Sequence, residues 1–310
     1  MIDPSSFDNF DMAARGVLDF LHDRLGFDLW MVTRTEGADW IVLQVNDHGY
    51  GVKEGSVFYW ADSYCSQMVL GYGPQIAPNS QLIPTYNQAP INNQVEIGAY
   101  IGLPLTYDDG SLFGTLCAIH PTSQPEDITS ELPLLKLLAK LLSSFLNAEL
   151  KMAEQNRCLE RVEAEAMTDI LTGLYNRRGW ERLLAAEEKR CRHYGYPACV
   201  AIIDLDGLKL VNDTYGHAKG DEFIYLAGAA LKQATRKQDV VARIGGDEFA
   251  VLAIECHLAE GEKLIERIEK LLKVSQISAS LGIAERQPSL GLGAAWEEAD
   301  RLMYICKKSR

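Results

Sequence analysis

The chain has no Cys-x-x-Cys pair, no extended basic run and no apolar stretch long enough to span a bilayer, and each absence removes a class of function. Its seven cysteines are odd in number and scattered, which reads as reduced thiols of a cytoplasmic protein, not a disulfide frame or a zinc site. A net charge of -13 disfavours tracking along a nucleic-acid backbone, although a local cluster of Lys and Arg still admits a small phosphorylated ligand. The richest apolar segment, LPLLKLLAKLLSSFL at 132–146, is too short and too lysine-interrupted for a membrane span. The opening MIDPSSFDNFDMAARG is acidic and lacks the pattern of a secretory signal. No internal repeat and no low-complexity tract is found. The expectation is a water-soluble cytoplasmic protein with neither a membrane nor a nucleic-acid partner.

What is present suffices for roughly two domains, since 310 residues with 47% hydrophobic content can bury a sizeable core. In the first half, DLWMVTR and DWIVLQV read as paired strands, as do GAYIGLPLTY and SLFGTLCAIH, which are joined by Asp108, Asp109 and Gly110. Between the pairs, residues 71–95 carry four prolines and no charged side chain, a long loop that reads either as a lid over a ligand pocket, with Tyr72 and Tyr86, or as irregular surface. From about Asp127 the period becomes helical. Leu134, Leu135, Leu138, Leu141, Leu142, Phe145 and Leu146 recur at that spacing, and the pattern thins through Leu150, Leu159, Val162 and Ala166. Such a helix can pair with a copy of itself, or be a core helix followed by an exposed linker.

The second half alternates helical stretches, near 176–194, 221–236, 259–273 and 295–307, with the strand-like runs PACVAIID, VVARI, FAVLAI and ISASLGIA. A sheet covered by helices is expected. Asp204 ends one buried run. Asp247 and Glu248 interrupt two others in RIGGDEFAV, where Gly245 and Gly246 allow positive φ and close approach of a ligand to the backbone. Were these strands neighbours, three carboxylates would converge, and converging carboxylates need a proton or a cation among them; oxygen-only ligands suit Mg²⁺ or Mn²⁺. For GGDEF alone a solvated hairpin tip is the commoner outcome. The context IIDLDGLKLVNDTYGHAKGDEF, 202–223, adds Lys209, Asn212 and a Gly220-Asp221 pair read as opening a helix. Asn212 and Asp221 together offer the donors and acceptors that read a guanine edge, though each alone reads as a cap or turn residue.

Five segments in order, DILTGLYNRRGW, IDLDGLKLVNDTYGHAKGD, RIGGDEF, SASLGIA and EEADRLMYICKK, cover about 140 residues and resemble the GGDEF domain of diguanylate cyclases. The resemblance implies a palm-like nucleotide-cyclase fold that holds one GTP and condenses two GTP to cyclic di-GMP and pyrophosphate across a homodimer. It assigns metal binding and catalysis to Asp204, Asp247 and Glu248 with the Leu205 carbonyl, guanine reading to Asn212 and Asp221, and phosphate contact to Lys307. Lys209, Gly245 and Gly246 complete the expected substrate site. Arg236 and Asp239, in RKQD, match the family's inhibitory R-x-x-D site for the cyclic product, where an arginine fork can clamp a guanine edge or a phosphate. Members usually continue beyond the lysine with Gly-Arg-Asn; here the chain reads CKKSR, and Arg310 is the candidate replacement.

AYIGLPLTYDDGSLFGTLCAIHP, 99–121, resembles the closing hairpin of GAF domains, sensory modules that bind small ligands. Cys65 has no adjacent histidine for a bilin, and His22, His48 and His120 stand in no haem motif, so the ligand stays unnamed. The expected architecture is α/β of the α+β kind: a GAF-like antiparallel sheet with helices over 1–130, a helical linker that forms a dimeric coiled coil over 131–165, and a catalytic domain over 166–310. Two other readings stay open: a silent GGDEF module acting as a receptor for GTP or cyclic di-GMP, and a dimerisation scaffold.

Overall fold

The computed structural model describes residues 9–164 and 167–309, the side chains of 162–164 excepted, so Ala166, Arg310 and the Val162 side chain lie outside it. The chain divides into two compact units at Glu154/Gln155.

In the first unit, α1 (Phe10–Leu25) is capped by Asn9, whose side chain accepts from the Met12 N–H at 2.9 Å, and buries Phe10, Ala14, Leu18 and Leu21. It packs on β1 (Leu29–Glu36) and β2 (Asp39–Asp47), which form an antiparallel pair as expected. With β3 (Val57–Tyr59), β4 (Ile76–Ala77), β5 (Ala99–Thr106) and β6 (Leu112–His120) they make one sheet of order β3-β2-β1-β6-β5-β4. The β5–β6 hairpin turns at Asp108–Gly110, where Asp109 accepts from the Ser111 N–H at 2.9 Å. The proline-rich 71–95 segment is more ordered than its composition implied. It holds β4, the short helix α3 (Pro84–Asn87) and two 3-10 turns, and two of its four prolines, Pro84 and Pro90, sit at helix starts where a missing N–H costs nothing. Before it lies α2 (Tyr64–Val69), capped by Ser63.

The helix α4 (Leu132–Ala164) runs 33 residues without a break. Leu135, Ala139, Leu142 and Leu146 are buried in the first unit, and Ser143 and Asn147 hydrogen-bond the Thr106 N–H and carbonyl at the end of β5. A second row stays outside. Leu141, Met152 and Leu159 are 57%, 60% and 62% exposed, and with Leu134, Leu138, Phe145 and Ala148 they follow a seven-residue repeat.

The second unit is built from α5 (Arg177–Tyr194), β7 (Ala198–Leu205), α6 (Leu208–Tyr215), α7 (His217–Ala234), β8 (Val240–Arg243), β9 (Glu248–Ile254), α8 (Leu258–Val274), β10 (Ala279–Glu285) and α9 (Gly291–Lys308). Its strands are antiparallel in the order β10-β7-β9-β8. Alternation along β7 explains why its run is apolar throughout. Cys199, Ala201, Ile203 and Leu205 enter a core with α7 and α8, while Ala198, Val200 and Ile202 enter another with α5 and α9. One expectation is corrected and one helix is added. α6 is a helix that none of the four expected stretches covers, and α7 begins at His217, so Asp221 stands in its second turn and not at its N-terminus. Among the described residues no helix is long and apolar enough to cross a membrane.

Candidate active site at the end of the second sheet

Strand parity carries the chemistry to one face. Asp204 continues the even row of β7, and its antiparallel partner on β9 is Glu248, which continues the row Ala250, Leu252 and Ile254. Both project on the α9 side. The backbones of Ala299 and Met303 crowd Gly282 so closely that a Cβ there would lie 2.1 Å from the Ala299 carbonyl oxygen. One turn after Met303, Lys307 reaches the sheet end and its Nζ donates to Asp204 Oδ1 at 2.7 Å. That hydrogen bond, aided by the charges of Asp204, Asp247 and Asp206 against a small burial cost, raises the lysine above its ordinary value. Asp204 is buried, and the Leu205 N–H donates to the Asp247 carbonyl at 2.9 Å, fixing the two acidic segments side by side.

The GGDEF turn is tight for a reason other than the expected one. Neither Gly245 nor Gly246 has positive φ; instead a Cβ on Gly245 would lie 2.4 Å from Glu248 Oε2, so the glycine leaves that carboxylate room to fold back over the turn. Arg243 holds the turn, with Nη2 donating to the Gly246 carbonyl at 2.8 Å and Nη1 paired with Asp169 at 3.3 Å. Among the described residues no three His, Cys, Asp or Glu side chains are gathered at metal-binding distance. The donor set nonetheless fits a hard cation: the groups at the sheet end are carboxylates and backbone carbonyls, with no sulfur or imidazole.

Asn212, on α6, packs its Oδ1 against Gly220 of α7, where a Cβ would lie 1.9 Å away, so the amide is brought beside the residue that precedes Asp221. Asp221 and Lys209 are exposed. Sequence reasoning missed Asp206, which accepts from the Ser278 and Ser280 hydroxyls at 2.8 and 3.0 Å and ties β10 to the loop after β7. The available signal was the second acid of DLD, two residues after Asp204. It also missed Arg243, adjacent to the motif it supports.

Arg236 and Asp239 form a turn in which the Asp239 carboxylate accepts the Arg236 N–H at 2.7 Å and the Ile254 N–H at 3.2 Å. Burial raises this carboxyl above its ordinary value against those hydrogen bonds. Beside it lies a cleft of about 130 Å³ lined by Arg236, Lys263 and Arg267 with Asp239 and Glu260. The end of α4 reaches the same turn: Arg161 donates to the Lys237 and Gln238 carbonyls, while Arg157 pairs with Glu187 at 2.9 Å and Glu255 at 2.8 Å.

The first unit has a cavity of about 40 Å³ between sheet and α2. Ile91 and Val95 from the 71–95 segment line it, whereas Tyr72 is 66% exposed and Tyr86 is fully buried in the core. The hydroxyls nearby are already engaged: Tyr64 with Asn92 at 2.5 Å, Tyr86 with the Pro74 carbonyl at 2.5 Å and Tyr100 with Cys65 at 3.3 Å.

Residues 166–309 match the family described as "Diguanylate cyclase, GGDEF domain", and residues 9–146 match the GAF domain family. A curated relative, "Diguanylate cyclase DgcP" of Escherichia coli (strain K12), is 32% identical over 224 residues, which are 69% of this chain and 65% of the relative. "Probable diguanylate cyclase DgcC" of the same strain is 36% identical over 170 residues, 51% of this chain and 44% of that protein. A crystal structure of the coiled coil and GGDEF domain of DgcB from Caulobacter crescentus, in complex with c-di-GMP, is 27% identical, covers 55% of this chain and 95% of that one, and has a TM-score of 0.45. The chain thus spans less than two thirds of these two curated relatives.

Proposed function

Because the chain belongs to the GGDEF family through residues 166–309 and carries a GAF domain over 9–146, we propose that it is a diguanylate cyclase, condensing two GTP to cyclic di-GMP and pyrophosphate in the cytoplasm. The observation that carries this reading is the cross-strand pair Asp204 and Glu248, with Asp247 adjoining and Lys307 on Asp204 at 2.7 Å. Mg²⁺ or Mn²⁺ held by Asp204, Asp247, Glu248 and the Leu205 carbonyl would offset charge developing on the phosphate oxygens. Lys307 adds a cation beside the same phosphates. Asn212 and Asp221 read guanine, with Lys209, Gly245 and Gly246 completing the substrate site. The 3′-hydroxyl of each GTP attacks the α-phosphorus of the other, and pyrophosphate leaves at each step.

Each domain holds one nucleotide, so two domains must meet. The exposed apolar row of α4 is suited to pairing with a second copy as a coiled coil. The cleft beside Arg236 and Asp239, with three cationic side chains, suits the two phosphates of the product and gives feedback inhibition. The GAF domain supplies regulation through a small ligand of its own.

Incubation of the purified chain with GTP and Mg²⁺, followed by mass spectrometry, tests the reading. Cyclic di-GMP and pyrophosphate are expected. Tight binding of GTP or cyclic di-GMP without turnover would make the chain a silent receptor instead.

A further inference from the structure

Strand β7 ends at Leu205, and Gly207, with φ of 81°, turns the chain away into α6, so Asp206 is the last residue before the chain leaves the sheet. It is clamped to the start of β10. Its N–H donates to the Ser278 carbonyl at 2.9 Å, and its carboxylate accepts the Ser278 hydroxyl at 2.8 Å on one oxygen and the Ser280 hydroxyl at 3.0 Å on the other. Ser280 is fully buried and is the cross-strand partner of Asp204, so its side chain stands on the Asp204 face and draws the Asp206 carboxylate there. The charge is felt on that face. The Asp204 hydrogen bond comes first in raising Lys307 above its ordinary value, and the charges of Asp204, Asp247 and Asp206 add to it against a small burial cost.

The direction of one carbonyl follows from these bonds. In a trans peptide the N–H and the C=O point opposite ways, so an Asp206 N–H held on the β10 side turns the Leu205 carbonyl toward the β9 side. Asp247 lies there, and its own carbonyl receives the Leu205 N–H at 2.9 Å. Resting on the cyclase reading above, we propose that Asp206 is a positioning residue of that site, whose clamp on Ser278 and Ser280 aims the Leu205 carbonyl at the cation that Asp204 and Asp247 would hold and adds a negative charge on the same face. A plain tie between β10 and the loop after β7 would need shape alone. An acid suits the clamp because both its oxygens accept, whereas an amide offers one acceptor and turns a donor toward the second hydroxyl. Groups that hold a cation's ligands in place without touching the cation change its affinity by about 10-fold to 100-fold when they are removed.

The test titrates Mn²⁺ into the full chain without nucleotide, follows the free ion by its EPR signal, and records the melting temperature of the metal-free chain alongside. Asp204→Asn is the control for the cation site itself. Asp206→Asn removes the charge, whereas Ser278→Ala combined with Ser280→Ala keeps the charge and frees the carboxylate. Mn²⁺ affinity is expected to fall about 10-fold or more in Asp206→Asn and several-fold in the double variant. In synthesis of cyclic di-GMP, Asp206→Asn should need about 10-fold more Mg²⁺ for half-maximal rate. A lower melting temperature in both variants with Mn²⁺ affinity at the parent's value would overturn the proposal and leave Asp206 a structural tie. The two readings fail separately. Where Asp204→Asn loses Mn²⁺ and Asp206→Asn does not, the positioning role alone falls; where parent and Asp204→Asn titrate alike, the cation site falls and takes the positioning role with it.

Discussion

The sheet of the first unit and the sheet of the second spend their strand ends on opposite purposes. In the first, Leu29, Met31, Tyr100 and Cys117 continue into a core that borders a cavity of about 40 Å³, and nearby hydroxyls bond to other parts of the same wall. In the second, β7 stays apolar up to Ile203 and then ends on Asp204, opposite Glu248 and under Lys307. A carboxylate at that depth is expensive unless something offsets its charge. The first wall is lined by apolar side chains, whereas the second end carries carboxylates, which suit a cation. Function is therefore written more plainly into the second unit.

The sharpest way to break this comparison is at the acids. Asp247→Asn and Glu248→Gln remove one charge each with little change in volume, and each is expected to lower cyclic di-GMP synthesis by about 10²-fold or more. Melting temperature should change little, since Asp247 and Glu248 lie only half-buried at the turn. Turnover near the parent rate in both variants would show that these carboxylates are a solvated tip.

Selectivity gives the next largest effect. A site that pairs polar groups with guanine leaves them unsatisfied when adenine enters, so Asp221→Ala is expected to reduce the GTP-to-ATP preference in kcat/KM by about 10-fold. An unchanged ratio would remove Asp221 from the reading of the base. Asn212 is the internal check, because its packing against Gly220 makes its loss a structural change as well.

How much of this was legible differs between the units for a physical reason. Polar residues that interrupt apolar runs, Asp204, Asp247 and Glu248, stand out at any spacing, and the strand adjacency they required is found in the β7–β9 pairing. Lys307 became a site residue only through the family resemblance, since a lysine at a helix end is ordinary. Asp206 and Arg243 were passed over because their partners, Ser278, Ser280, Gly246 and Asp169, are brought near only by the fold. The start of α7 was misplaced because Gly216 and Gly220 both look like boundaries; Gly216, with φ of 81°, is the one that breaks the helix. In the first unit the cavity walls are ordinary core residues, and nothing in their identity distinguishes a pocket from a packed interior.

The helix that leads from one unit toward the other gives a test of intermediate size. α4 keeps helical geometry across the division at Glu154/Gln155, and its outer apolar row runs from Leu134 to Met152 before it and reaches Leu159 beyond it. A helix transmits register, which a flexible linker would not. Inserting two alanines after Glu154 rotates the ends by about 200°, and is expected to change the basal rate or its regulation by about 5-fold or more. Inserting seven restores the face to within about 20° and should do much less. Indistinguishable behaviour of both insertions and the parent would reduce α4 to a tether.

The smallest expected effect separates scaffold from chemistry at the sheet end itself. Asp169 accepts from the Thr172 N–H at 2.9 Å and its hydroxyl at 2.7 Å, and pairs with Arg243, which in turn holds the Gly246 carbonyl. Burial opposes its ionisation, but the Thr172 hydrogen bonds and the Arg243 charge outweigh it and hold this carboxyl below its ordinary value. A depressed carboxyl contributes stability that is present above the unfolded value, about pH 4, and is lost as pH falls through the folded one. Asp169→Asn keeps the shape and the Thr172 contacts while removing the charge, so it should cost about 1–2 kcal/mol at neutral pH. The gap between variant and parent in urea unfolding should hold steady from about pH 8 to pH 5 and narrow below about pH 4. Cyclase rate should fall only a few-fold, because the acids proposed to hold a cation are untouched and the turn merely loosens. A gap that persists unchanged into acid would show that shape, not charge, is what Asp169 gives the turn, and a rate loss as deep as that of Asp247→Asn would place it among the reacting groups.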